Sequence, residues 1–68
     1  MDLEIRLNGE PHHVVAGATL VDLLRSLGRE PRLVAIEHNG VIVKRARFGE
    51  VTLRAGDRVE IVQFVQGG

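Results

Sequence analysis

Three histidines, one serine, nine carboxylates and eight glycines are the residues of this chain that could do chemistry. His12 and His13 are neighbours in a segment that alternates like a strand, so their side chains leave opposite faces and cannot share one ion. His38 stands beside a turn, far from both in sequence. A zinc site needs three or four convergent ligands, so no metal is expected and all three histidines read as exposed and uncoordinated. Ser26 has no histidine at a spacing that suggests a general base and reads as a solvated helix position. The carboxylates are scattered one per segment, a pattern of solubility rather than of a paired acid and base. Neither Gly-x-Gly-x-x-Gly nor a Walker pattern occurs, so the chain carries no ATP-binding motif of its own. With no cysteine, disulfides, thiolate zinc sites and thiol nucleophiles are excluded.

What remains is the end of the sequence, Val65-Gln66-Gly67-Gly68. Glycine averages about 7% of residues, so a chance pair in two given positions has a probability of roughly 0.5%. Diglycine lacks Cβ atoms. It can thread a narrow channel and bring the terminal carboxylate, with an unhindered acyl carbon, to the catalytic groups of another protein. Chemistry of that kind needs a platform to hold the tail.

The platform must be small. Sixty-eight residues bury only about 60% of the surface their unfolded chain exposes, which leaves one modest core and little room for a substrate pocket. An enzyme complete in itself is not expected. Nine Lys and Arg balance nine Asp and Glu, so no overall charge draws the chain to nucleic acid or to an anionic membrane. The balance is uneven along the chain: residues 44–58 carry Lys44, Arg45, Arg47, Arg54 and Arg58 against Glu50 and Asp57, a candidate basic face. Phe48 and Phe64 are the only aromatics, so the stacking platforms that meet single-stranded nucleic acid are missing. Apolar runs are far shorter than the roughly 20 residues that span a bilayer, and the opening Met1-Asp2-Leu3-Glu4 is acidic and alternating. Neither secretion signal nor membrane anchor is expected, and a cytoplasmic location fits the lack of cysteine.

The elements follow from periodicity. Leu3, Ile5 and Leu7 alternate with Glu4 and Arg6, which predicts a first strand. Asn8-Gly9 tolerates the positive φ angles of a two-residue hairpin, so Glu10 to Val15 should return antiparallel, with Pro11 marking an edge strand. From Thr19 the period changes. Leu20, Leu23, Leu24 and Leu27 form one helical stripe, Thr19 is placed to cap it, Asp22 completes a capping box, Gly28 suits the left-handed C-terminal position and Pro31 stops continuation. Leu33 to Glu37 reads as a third strand, turned by Asn39-Gly40 into a fourth at Val41 to Lys44. Arg45 to Leu53 reads as irregular with a short extended piece. After the Gly56-Asp57 turn, Arg58 to Val65 places Val59 and Ile61 on one face and Glu60, Val62 and Phe64 on the other. Such a strand is normally central.

The pattern ββαββ is a β-grasp: an α+β, ubiquitin-like fold in which one short helix packs across one face of a mixed sheet. The right-handed crossover rule puts the last strand parallel to and beside the first, in the order 2-1-5-3-4. Residues 1–65 form the expected single domain and 66–68 a flexible tail. Because the helix covers only one side, Val62 and Phe64 should lie uncovered on the other, as a candidate partner-docking face. The nearby arginines could steer association toward an acidic enzyme surface.

The chain resembles the ThiS family of thiamine-biosynthesis sulfur carriers. The resemblance is carried by Val34-Ala35-Ile36-Glu37 running into Asn39-Gly40 and Ile42-Val43, by Leu53, Gly56-Asp57 and Val59-Glu60-Ile61-Val62, and by Val65-Gln66-Gly67-Gly68. The order, spacing and closing diglycine are specific together. Lys44 stands where the family often has proline, a departure confined to one loop. The resemblance implies that Gly68 is adenylated by a ThiF-like adenylyltransferase using ATP and Mg²⁺, with no cofactor bound by this chain. A persulfide sulfur donor then converts it to a thiocarboxylate, used by the thiazole synthase ThiG while Val65, Gln66 and Gly67 thread the partner site. The chain would thus be a protein co-substrate and not an enzyme. MoaD-like subunits of molybdopterin synthase resemble it in fold and diglycine but are usually longer, with a proline pair before the tail. TGS-type RNA-associated binding modules share Asn-Gly, Gly-Asp and Val-Glu-Ile patterns but have no reason to end in diglycine. A ubiquitin-like modifier joined to lysines through Gly68 is the remaining alternative.

Overall fold

The computed structural model describes residues 1–64. β1 (Asp2–Leu7) and β2 (Glu10–Val15) form the first hairpin, α1 (Leu20–Leu27) crosses the sheet, β3 (Val34–His38) and β4 (Val41–Val43) form the second hairpin, and β5 (Arg58–Gln63) closes the fold. The sheet order is β2-β1-β5-β3-β4, with β5 parallel to β1 and antiparallel to β3. This is the expected topology. It makes β5 the central strand.

Both hairpins turn on Asn-Gly. Asn8 and Asn39 sit at φ 50° and 52°, and Gly9 and Gly40 at 84°, the paired left-handed conformation whose twist matches the flanking strands. In β2, the Ala16 N–H donates to the Met1 carbonyl, so the even residues of that strand face β1 and Pro11 directs its missing N–H outward. An edge proline therefore costs the ladder nothing.

The two-turn helix is held by its ends and by its stripe. The Thr19 N–H donates to Asp22 Oδ2 at 2.9 Å and the Asp22 N–H to Thr19 Oγ1 at 3.3 Å, a reciprocal cap. The bond from the Thr19 amide, followed by that from its hydroxyl, keeps the Asp22 carboxyl below its ordinary value. At the other end Gly28 is left-handed and the Arg29 N–H reaches the Leu24 carbonyl at 2.9 Å. Leu20, Leu23 and Leu24 are buried and Leu27 packs at their margin. Each buried leucine contributes about 1.5 to 3 kcal/mol, more than so short a helix could supply from propensity. They meet Ile5, Val14, Ile36, Val59 and Ile61 from the sheet.

The sequence expectations differ from the structure at four elements. β5, expected from Arg58 to Val65, ends at Gln63, and Phe64 lies outside the strand. β3 starts at Val34 rather than Leu33 because Pro31–Leu33 forms a 3₁₀ turn, capped by Glu30 through the Arg32 N–H. β4 ends at Val43, one residue before Lys44. Arg45–Glu50 is a 3₁₀ helix instead of irregular chain. Its Phe48 is 2% exposed, so one buried ring anchors a segment in which charged residues hide the apolar signal.

Candidate functional site

β5 is the element that leads to the diglycine, and the structure grips it from both sides. The strand pairs with β3 along Val59 to Gln63 but with β1 only at Arg58 and Val59. Beyond β1, the side chain of Asn8 substitutes for the missing strand: its Oδ1 accepts the Ile61 N–H at 2.8 Å and its Nδ2 donates to the Ile61 carbonyl at 3.3 Å. On the other flank Asn39 Oδ1 accepts the Arg58 N–H at 2.8 Å. Near the exit, the Phe64 N–H donates to the Leu33 carbonyl at 2.7 Å, and Arg29 Nη1 donates to Gln63 Oε1 at 2.7 Å. The two asparagines read from sequence only as turn formers. Their identity as asparagine was the available signal, because glycine or aspartate also tolerates the turn but cannot both give and take a hydrogen bond.

The start of β5 is fastened by a polar corner. Asp57, 8% exposed, accepts from His38 Nε2 at 2.7 Å and the Arg54 N–H at 2.9 Å on one oxygen, and from Asn39 Nδ2 at 3.2 Å on the other. Burial alone would push this carboxyl up. The bonds from His38, the Arg54 amide and Asn39, with electrostatic attraction to His38, outweigh it and hold the group below its ordinary value. Two expectations are corrected here. His38 is not exposed and unpartnered, its side chain being 23% accessible, and the carboxylates are not all solvated. His12 is also half-buried, because it lies on the helix side with Val14, whereas His13 is exposed and meets Glu4 at 3.3 Å. Ser26 donates to the Leu23 carbonyl at 2.8 Å, a local helix bond.

Val62 and Phe64 lie on the face opposite α1, 61% and 51% exposed. Ala35 stands across from Val62, and the 74% exposed Ile42 lies across from Glu37 on the same face. Val62 and Phe64 are thus uncovered at the end where β5 exits, and Ile42 is a separate exposed apolar side chain level with Glu37 and Glu60. Val65, Gln66, Gly67 and Gly68 lie outside the described residues. The basic segment does not form one continuous face. Arg45 and Arg47 sit on the 3₁₀ helix packed beside α1, with Arg47 paired to Glu50 at 2.8 Å, while Arg58 belongs to the open face.

A hollow of about 460 Å³ runs between β2 and α1 beside Val14, Gly17, Ala18, Asp22, Leu23 and Ser26. With β1 between it and β5, it has no part in the tail platform. Among the described residues no three His, Asp or Glu side chains converge as metal ligands, and no helix is long and apolar enough to cross a membrane.

A β-grasp sheet with one bare apolar face and a clamped central strand leading to a diglycine defines a carrier-type β-grasp protein. The comparisons are more particular: the ThiS family model matches residues 5–68, and this chain belongs to that family. A thiazole synthase of Magnetococcus marinus is 47% identical over 66 residues, covering 97% of this chain and 20% of that protein. The sulfur carrier protein ThiS of Bacillus subtilis is 44% identical over 50 residues, 74% of this chain and 76% of that one. The crystal structure of the thiamine biosynthesis protein ThiS from Geobacter metallireducens superposes with a TM-score of 0.82 at 30% identity, covering 97% of this chain and 100% of the other. The chain thus spans about a fifth of the length of the thiazole synthases it matches and most of the length of the small carriers.

Proposed function

We propose that this chain is the sulfur carrier for the thiazole moiety of thiamine. The observation that carries the reading is the family match over residues 5–68, which runs through Gly67 and Gly68. The relatives named as ThiS carriers and as thiazole synthases support both the sulfur chemistry and a thiazole synthase as the acceptor.

The chemistry starts from a poor electrophile. The Gly68 carboxylate is anionic and would have to expel oxide, so a ThiF-like enzyme joins it to the α-phosphorus of ATP, with Mg²⁺ on the phosphates, and pyrophosphate departs. The outer sulfur of a persulfide then attacks the acyl carbon and AMP leaves with the bonding pair. Cleavage of the remaining S–S bond by a thiol leaves the thiocarboxylate, which serves as the sulfur nucleophile on the thiazole synthase. This chain supplies the end group, its reach and the docking face; the partners supply catalysis. Gly67 and Gly68 keep the approach to the acyl carbon unhindered, and Val62 and Phe64 bury apolar surface against the partner.

Intact mass after incubation with the adenylating enzyme, ATP, Mg²⁺ and a persulfide donor tests the reading. Exchange of one oxygen for sulfur at Gly68 is expected. An unchanged mass overturns it, and attachment to lysines of other proteins replaces it with a modifier role.

A further inference from the structure

The open face is ordered along β5 in bands that pair like with like. Arg58 lies beside Arg6 of β1, Glu60 lies opposite Glu37 of β3 with the exposed Ile42 of β4 beyond it, and Val62 lies opposite Ala35, with Phe64, just past the end of β5 and bonded to Leu33, exposed toward the exit. Like charges directly across a sheet destabilise it. All four charged side chains are exposed, and among the described residues none of them forms an ion pair. The isolated fold gains nothing from this arrangement. Swapping one member of each pair would stabilise it.

We propose that these bands form a docking register for the enzyme that adenylates the tail, a partner whose surface presents an apolar socket nearest its catalytic centre, then Lys or Arg side chains, then carboxylates. Successive outward residues of a strand are about 7 Å apart, so the three features repeat at that interval away from the tail. Charge complementarity names the occupant's chemistry. The position of the apolar band names its orientation, because whatever covers Val62 and Phe64 must also receive residues 65–68. A partner turned end for end would set its cations against Arg6 and Arg58, and one shifted by a single band would lose the apolar contact. Only one approach satisfies all three bands, so the charges select orientation while the apolar band supplies most of the burial. Glu37 and Glu60 are thereby positioning residues for the acyl-transfer end of the chain, although they lie on the body of the sheet. The inference rests on the sulfur-carrier reading.

The test is ATP–pyrophosphate exchange by the ThiF-like enzyme with the full chain as substrate, comparing wild type, Glu37→Gln/Glu60→Gln and Glu37→Lys/Glu60→Lys across a salt series. The expected result is a KM for the chain raised about tenfold in the glutamine variant and further in the lysine variant, with kcat unchanged. The glutamine variant should also lose much of the salt dependence of kcat/KM and melt no lower than wild type. Wild-type KM in both variants, or a glutamine variant that melts lower, overturns the register. Absence of exchange with the wild-type chain overturns the carrier reading and the register with it, whereas exchange at equal KM in all three proteins removes the register alone.

Discussion

The two faces of the sheet obey different rules although the same strand builds both. On the helix side β5 contributes Val59 and Ile61, 1% and 8% exposed; on the other side are its Val62 and, one residue past its end, Phe64, at 61% and 51%. Residues one step apart in sequence thus go to the core or to solvent. A helix of eight residues, joined by the buried Phe48 and Leu53 that follow β4, closes one face of the sheet but cannot wrap it. The bare face is a geometric consequence of a small fold, and it coincides with the exit of the strand that leads to the tail.

The contrast can be broken most forcefully on the covered side. Ile61→Ala removes a side chain packed under the helix and should cost about 2 to 5 kcal/mol, read as a lower urea midpoint. Val62→Ala, its neighbour on the open face, should stay within about 0.5 kcal/mol of wild type. Equal losses would show that both faces carry the fold.

The polar corner comes next. Asp57→Asn removes the negative charge and one of the two oxygens that between them accept from His38, the Arg54 amide and Asn39, and should cost about 1 to 3 kcal/mol at neutral pH. The folded Asp57 carboxyl sits below its ordinary value, so the unfolded chain takes up the proton first as pH falls. The stability from this group is fully present above the ordinary carboxylate range. It declines as pH drops through that range and is gone below the folded value. The stability gap between wild type and Asp57→Asn should therefore narrow on acidification, and urea titrations from neutral pH downward would show it.

A smaller effect is expected at Asn8. Asn8→Gly keeps the turn's positive φ but deletes the amide that pairs with Ile61, for a loss of about 1 kcal/mol and faster hydrogen exchange at the Ile61 amide. The least change in stability belongs to Phe64→Glu, within about 0.5 kcal/mol. The same variant should weaken binding to the adenylating enzyme about tenfold, measured by titration calorimetry. Unchanged affinity would remove Phe64 from the docking surface.

Much of this molecule is legible in the chain because its signals are local. Asn8-Gly9 and Asn39-Gly40 specify two hairpins through backbone sterics, and Thr19, Asp22 and Gly28 bound a helix whose leucine spacing names its buried face. The apolar alternation of β5 on both faces places it in the centre. Each of these depends on neighbours within a few residues or on a period, both readable in one dimension. The diglycine and the apolar pair Val62 and Phe64 are legible for the same reason.

Tertiary structure alone decided what depends on distant partners. His38 and Asp57 are nineteen positions apart, and nothing in the spacing says that a histidine beside a turn and an aspartate after a glycine will share a hydrogen bond. Asn8 and Ile61 are fifty-three apart, and only the parallel placement of β5 beside β1 lets a turn amide extend a sheet. Phe48 is buried because the 3₁₀ segment folds back beside α1, a contact that its charged neighbours conceal. The order of strands follows from pattern and handedness, but register fixes which charges face each other, and register is set by hydrogen bonds between segments that meet only when the chain is folded.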